Sequence, residues 1–242
     1  ESILKKIGNQ TWSNSISNIH GKTNNDLNSK YYRRLAYDEI LANLLVLSLV
    51  RKRIKRLKKE NKNFDNFLEK KLINNFKFIL TLGQKKIISE INNDLKSDFR
   101  MFRLLQGDVG SGKTIVALVA ASNVIRSGYQ VSIMAPTEIL AKQHYDLALK
   151  IFKSTNVNIK YLSSKSDSSE KKSINENLMN GKINLVIGTH ALFQKKILFK
   201  KLGLTIIDEQ HKFGVKQRID LSNKGGKDCD ILLMSATPIP RS

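Results

Sequence analysis

Apolar positions change rhythm along the chain. Residues 1–29 are rich in Asn, Ser and Thr, with no sustained period. They read as a loop-rich connector with one short helix near 12–19. From Ser29 the pattern turns helical. Tyr31, Leu35, Leu41, Leu44, Leu45 and Leu49 recur near i, i+3 and i+4, and no Gly or Pro interrupts before Gly83. Beyond Met101 the rhythm becomes strand, turn, helix. Short apolar runs lie at 102–106, 130–135, 158–162, 183–188, 204–208 and 231–235. Helical patterns at 113–127, 138–153 and 168–180 separate most of them. The alternation predicts an α/β fold with a mainly parallel sheet covered on both faces, preceded by a helical segment.

Composition narrows the class. The 242 residues are 40% hydrophobic, with 13 Gly, 3 Pro and a single cysteine, Cys229. A wholly disordered, collagen-like or disulfide-stapled chain is excluded. The lone cysteine fits a reducing cytoplasm. The longest apolar run, 40–50, is broken by Asn43 and Ser48 and is too short to span a bilayer, so no membrane association is expected. The chain opens on Glu1 rather than Met, so missing targeting signals carry little weight.

Charge complicates the picture without deciding it. Lys and Arg number 42 against 21 Asp and Glu, a net +21. Such an excess suits phosphate neutralisation. Yet most of the basic residues are Lys, Asn and Ile are also abundant, and the charge is spread evenly along the chain. A genome rich in A and T would write the same surface. The run RKRIKRLKK at 51–59 reads first as a solvated helix end, and second as a DNA-backbone contact.

Two motifs carry chemistry. Gly107, Asp108, Val109, Gly110, Ser111, Gly112, Lys113 and Thr114 fit the phosphate-loop pattern GxxxxGK[ST], between an expected strand and an expected helix. The glycines let backbone N–H groups face a phosphate chain. The helix N-terminus adds positive partial charge. Lys113 is placed to reach the β- and γ-phosphates, and the Thr114 hydroxyl to ligate Mg²⁺. The second motif is Asp208-Glu209-Gln210-His211, directly after an apolar strand. A carboxylate at a parallel strand's end lies on the edge where ligands bind. Asp208 suits the Mg²⁺ ligand, and Glu209 the base that orients and deprotonates the attacking water.

With these residues in place the sequence resembles superfamily 2 helicases, most closely the RecG-type DNA translocases that remodel stalled replication forks. The matching blocks are GDVGSGKT (107–114), APTEILAKQH (135–144), GTHALFQ (188–194), IDEQHKFGVKQR (207–218) and MSATPIPR (234–241). Phe78, Ile79, Leu80, Thr81 and Gln84 look like the family's adenine-reading Q motif. The resemblance implies a RecA-like P-loop motor lobe using ATP and Mg²⁺, with Phe78 and Gln84 at the base. It implies that Pro136, Thr137, Thr189 and His190 lie along DNA. Gln210, His211, Ser235 and Thr237 would couple nucleotide state to DNA state. Thr137 and Ser235 also suit caps or turns on their own chemistry. Asp108 and Asp230 suit loop geometry rather than catalysis.

The implied organisation is a connector at 1–29 ending an upstream DNA-binding wedge domain, a helical linker at 30–77, and the first ATP-binding lobe at 78–242. The implied partners are branched DNA, namely forks and junctions, and a second motor lobe with the wedge domain of a longer chain. That lobe would bring an arginine finger worth about 10³–10⁵ in rate, so this chain alone is expected to turn ATP over very slowly. Lys212 stands where the family has Arg, which changes any bidentate contact there. The rival readings are a transcription-repair coupling translocase and a nucleotide-binding, DNA-associated module without turnover.

Overall fold

A computed structural model of the chain describes residues 10–20, 29–55, 57–76, 79–163, 166–194, 196–209 and 226–236. Contacts divide the chain into two units, Glu1–Arg53 and Ile54–Ser242. Of the stretch expected to be a helical linker, 30–53 falls in the first unit and 54–77 in the second.

The first unit carries helix α1 (Trp12–His20) and most of helix α2 (Lys30–Lys55). The Thr11 hydroxyl accepts from the Asn14 N–H at 3.3 Å and starts α1. The Ser29 hydroxyl accepts from the Tyr32 N–H at 3.2 Å and starts α2. These are N-cap bonds, which satisfy donors that a helix leaves open. Arg34 and Asp38 pair one turn apart at 2.9 Å. Ile40, Leu41, Leu44 and Leu45 are exposed, so the apolar spacing at 40–45 does not mark a buried face.

The second unit starts with an extended segment, against the helical expectation. Helix α2 stops at Lys55, and residues 57–66 run alongside the later chain. Lys58 bridges Phe99 antiparallel, Arg100 N–H donates to Leu57 O at 3.0 Å, and Lys59 N–H donates to Asp98 O at 2.9 Å. Polar residues in this segment mimic a solvated helix in the sequence. Their backbone groups instead pair with the chain just before the first strand. Helices α3 (Phe67–Asn75) and α4 (Leu82–Lys96) follow.

The remainder alternates as expected: β1 (Phe102–Gln106), α5 (Lys113–Arg126), β2 (Gln130–Met134), α6 (Glu138–Ile151), β3 (Ile159–Leu162), α7 (Ser168–Met179), β4 (Leu185–Gly188), β5 (Leu202–Ile207) and β6 (Asp230–Ser235). The six described strands form one parallel sheet in the order β1-β6-β5-β2-β4-β3. Every residue of β2, β4, β5 and β6 is buried, which is why they read as continuous apolar runs rather than alternating ones. Helix α5 is apolar nearly all round because it lies between α3 and α4 on one side and β2 and β5 on the other.

The parallel order has a functional result. The carboxyl ends of β1, β6, β5, β2 and β4 lead into 107–114, 235–236, 208–209, 135–137 and 189–190, respectively. The sequence motifs thus gather on one edge of the sheet.

Candidate nucleotide site

The loop after β1 turns back through Gly110 at φ 82° and Gly112 at φ 83°. Both angles lie in the left-handed region that side chains disfavour. Gly112 is the residue before α5, and a Cβ on it would collide with the Gln84 amide nitrogen. Lys113 Nζ donates to the carbonyl oxygens of Gly107 at 2.6 Å and Asp108 at 2.8 Å. The ammonium is therefore held over the loop by the loop itself, and the Asp108 carbonyl serves loop geometry. Val109 and Ser111 are exposed, while Gly107 and Thr114 are half-buried. Ser111 N–H closes the turn on Asp108 O at 3.1 Å.

Gln84 is tied at both ends of its amide. Its Oε1 accepts from Thr81 N–H at 3.0 Å, while the Thr81 hydroxyl accepts from Gln84 N–H at 3.2 Å. This reciprocal capping box starts α4. Gln84 Nε2 donates to Ser111 O at 2.9 Å. The side chain expected at a base thus joins the cap of α4 to the phosphate loop. Ile79 and Leu82 beside it are exposed apolar side chains.

Asp208 follows β5 and is buried. Its N–H donates to Met134 O at 2.8 Å, continuing the pairing with β2. Its carboxylate accepts from Glu209 N–H through Oδ1 at 2.9 Å, and from His144 Nε2 through Oδ2 at 2.7 Å. Glu209 adopts φ 49°, a left-handed backbone in a residue with a Cβ. That conformation costs about 1–2 kcal/mol, and such outliers persist where surrounding structure enforces them.

The other predicted residues are placed as follows. Ser235 pairs with Gln106 across β6 and β1, and Ser235 O accepts from Gly107 N–H at 3.3 Å. The phosphate loop and the end of β6 are therefore direct neighbours. Pro136 is half-buried and Thr137 exposed. The Thr137 hydroxyl caps α6 by accepting from Leu140 N–H at 3.3 Å. Thr189 is buried and His190 exposed, at the start of a 3₁₀ turn spanning His190–Phe193. Phe78, Gln210, His211, Lys212 and Thr237 lie outside the described residues.

The oxygen donors fit magnesium. Thr114 and Asp208 offer hard oxygen ligands, and Asp208 is held ready by two donors. Among the described residues, no group of three or more His, Cys, Asp or Glu forms a metal cage. A cation here would complete its shell with phosphate oxygens and water, as Mg²⁺ commonly does.

Sequence reasoning missed two arrangements. His144 ends the APTEILAKQH block, where its residue type alone names no task. Its signal was position: Ala141, His144, Ala148 and Ile151 form the buried face of α6. The second is a buried charge cluster. Asp230 Oδ2 accepts from Lys59 Nζ and Lys62 Nζ, each at 2.7 Å, and Oδ1 accepts from Met101 N–H at 2.6 Å. All three charged side chains are sealed from solvent. Asp230 thus opens β6 and anchors two lysines rather than shaping a loop. Lys59, the last residue of the basic run, is neither a solvated helix end nor a surface contact. Burial pushes its pKa below the usual lysine value, against the pull of Asp230. No local pattern announces partners 171 and 168 residues apart.

Comparison with known proteins places this geometry. Residues 81–242 match the DEAD/DEAH box helicase family. A protein of Aquifex aeolicus, named ATP-dependent DNA helicase RecG, is 47% identical over 219 residues, covering 90% of this chain and 28% of that protein. The protein of the same name from Borreliella burgdorferi is 43% identical over 240 residues, covering 99% of this chain and 34% of its own length. A solved structure of RecG bound to a three-way DNA junction aligns with TM-score 0.74 and 43% identity, over 88% of this chain and 28% of that one. A DEAD box protein of Methanococcus jannaschii, 22% identical with TM-score 0.54, shares the fold. The chain spans about a third or less of these RecG relatives. No helix among the described residues is long and apolar enough to cross a membrane.

Proposed function

Because the chain belongs to the DEAD/DEAH box helicase family, we propose that it is the ATP-binding motor lobe of a RecG-type DNA helicase acting on forks and junctions in DNA repair and recombination. The carrying observation is the shared edge: the phosphate loop, Asp208-Glu209 and Ser235 leave adjacent strands β1, β5 and β6 at their carboxyl ends. The RecG relatives support the choice of DNA substrate. A DNA motor of this kind works in the cytoplasm.

In this reading the loop amides and Lys113 hold the β- and γ-phosphates. Lys113 exchanges its two carbonyl acceptors for phosphate oxygens, which makes the same bonds stronger by charge. Gln84 turns its amide to the adenine edge, and Phe78, Ile79 and Leu82 offer the base an apolar face. Thr114 and Asp208 would hold magnesium, which when bound would supply charge neutralisation. Glu209 accepts the proton of the attacking water. Pro136, Thr137, Thr189 and His190 lie along a DNA strand from the loops after β2 and β4. Ser235, beside Gly107, reports the state of the phosphate loop to β6, and Gln210, His211 and Thr237 extend that coupling. A second motor lobe and a wedge domain, in the longer protein that the relatives represent, complete the machine.

The test is binding of a fluorescent ATP analogue to the purified chain with Mg²⁺. Lys113→Ala should weaken binding about 10-fold or more, since a charged hydrogen bond contributes about 1.5–3 kcal/mol. Unchanged affinity would remove the phosphate loop from the reading. Binding to fork DNA should weaken steeply as salt rises. In the longer protein with its wedge domain, a preference for linear duplex over forks would remove the branched-DNA assignment.

A further inference from the structure

We propose that His144 is a positioning residue for the nucleotide-bound magnesium, holding the Asp208 carboxylate in its ligating orientation. The inference rests on the reading of Asp208 as a magnesium ligand and extends it to a residue on a different element.

The geometry is specific. His144 Nε2 lies 2.7 Å from Asp208 Oδ2, between residues 64 positions apart. A carboxylate oxygen only accepts, so Nε2 carries the hydrogen and donates it. Both residues are buried. The second oxygen, Oδ1, is held by Glu209 N–H at 2.9 Å. With each oxygen pinned by its own donor, rotation of the carboxylate about χ2 breaks at least one bond. The lone pairs left over keep a fixed direction.

This differs from a satisfied core histidine in its partner. Among the described residues His144 makes no other side-chain hydrogen bond, and it meets the carboxylate that ends β5 on the motif edge. Deleting it leaves a buried carboxylate with one donor, free to turn. Outer partners of metal ligands commonly alter metal affinity about 10–100-fold when removed. The bond also ties Asp208 to α6, a helix whose first turn is set by Thr137. Asp208 therefore keeps its place relative to the loop that begins that helix.

The experiment titrates Mg²⁺ against this chain at a fixed concentration of a fluorescent ATP analogue. Nucleotide affinity without Mg²⁺ and thermal stability are measured on each variant. For His144→Ala the Mg²⁺ midpoint should rise about 10-fold or more, while Mg²⁺-free nucleotide affinity stays within about twofold. His144→Gln, whose amide N–H reaches a similar distance, should restore a midpoint near the wild type. His144→Asn, which is shorter, should behave like His144→Ala. A purely structural histidine would lower stability in all three and leave the midpoint unmoved, and that result overturns the proposal. If His144→Ala does not fold, a wild-type midpoint in His144→Asn overturns it equally. Asp208→Asn separates the two levels. If it raises the midpoint while the His144 variants do not, Asp208 keeps its role and His144 loses it. If Asp208→Asn also leaves the midpoint unchanged, the ligand assignment of Asp208 falls, and the role of His144 with it.

Discussion

Lys59 Nζ lies 2.7 Å from Asp230 Oδ2, with both side chains closed to solvent and Lys62 bound to the same oxygen. Two lysines share one carboxylate in a buried cluster. Removing the anion strands both lysines. Asp230→Asn should cost about 3–5 kcal/mol, the range for breaking a buried pair. Urea unfolding at neutral pH measures it. Lys59→Met should cost less, because the Lys62–Asp230 pair survives. A loss below about 1 kcal/mol for Asp230→Asn would show that the cluster does not stabilise the fold.

Gly112 offers a second test. Its φ of 83° and the nearness of the Gln84 amide both oppose a side chain. Gly112→Ala should lower stability by about 1–2 kcal/mol from the left-handed backbone alone, and should weaken nucleotide binding more than tenfold. Adding Gln84→Ala removes the collision but not the backbone cost. Because Gln84→Ala also gives up the bonds to Thr81 N–H and Ser111 O, the double variant should fall below the Gln84→Ala single variant by the backbone cost alone. Thermal melts and nucleotide titration of the pair read this directly.

These two cases show where sequence patterns end. The strands were legible to within two residues at most boundaries because buried parallel strands are unbroken apolar runs, as in β5 and β6. The phosphate loop was legible because glycine, lysine and threonine each have a separate physical task at fixed spacing. The extended segment 57–66 was not. Its Lys and Asn residues look like a helix surface, while the backbone bonds that fix it come from 95–100. The left-handed backbone at Glu209 and the bond from His144 to Asp208 likewise depend on elements distant in sequence.

Glu209 gives the third prediction. Glu209→Gln keeps size and polarity but loses the ability to take a proton. In the longer protein with both motor lobes, turnover should fall by about 10²–10⁴, the range for a general base, with ATP affinity nearly unchanged. Single-turnover hydrolysis of labelled ATP, followed with nucleotide release, measures both. Equal rates in the variant and its parent, both carrying the two lobes, would take the base role from Glu209.

Cys229 gives the fourth. Burial pushes its thiol up to about 11, from an ordinary 9.0. The folded state therefore holds its proton where the unfolded state releases it. Its stabilising contribution is complete below about pH 9 and declines as pH rises toward 11. Cys229→Ala should flatten the fall in stability over that window. Denaturant melts at pH 8, 9, 10 and 11 test it, with equal slopes in the two proteins counting against the assignment.

The parallel sheet separates two kinds of vulnerability by strand end. Carboxyl ends carry the phosphate loop, Asp208 and Ser235, while the amino end of β6 carries Asp230 with its two lysines. A variant library of this chain should therefore sort by position along each strand. Changes near the amino edge will appear as lost yield of folded protein. Changes near the carboxyl edge, the left-handed glycines apart, will largely spare yield and appear as lost nucleotide handling.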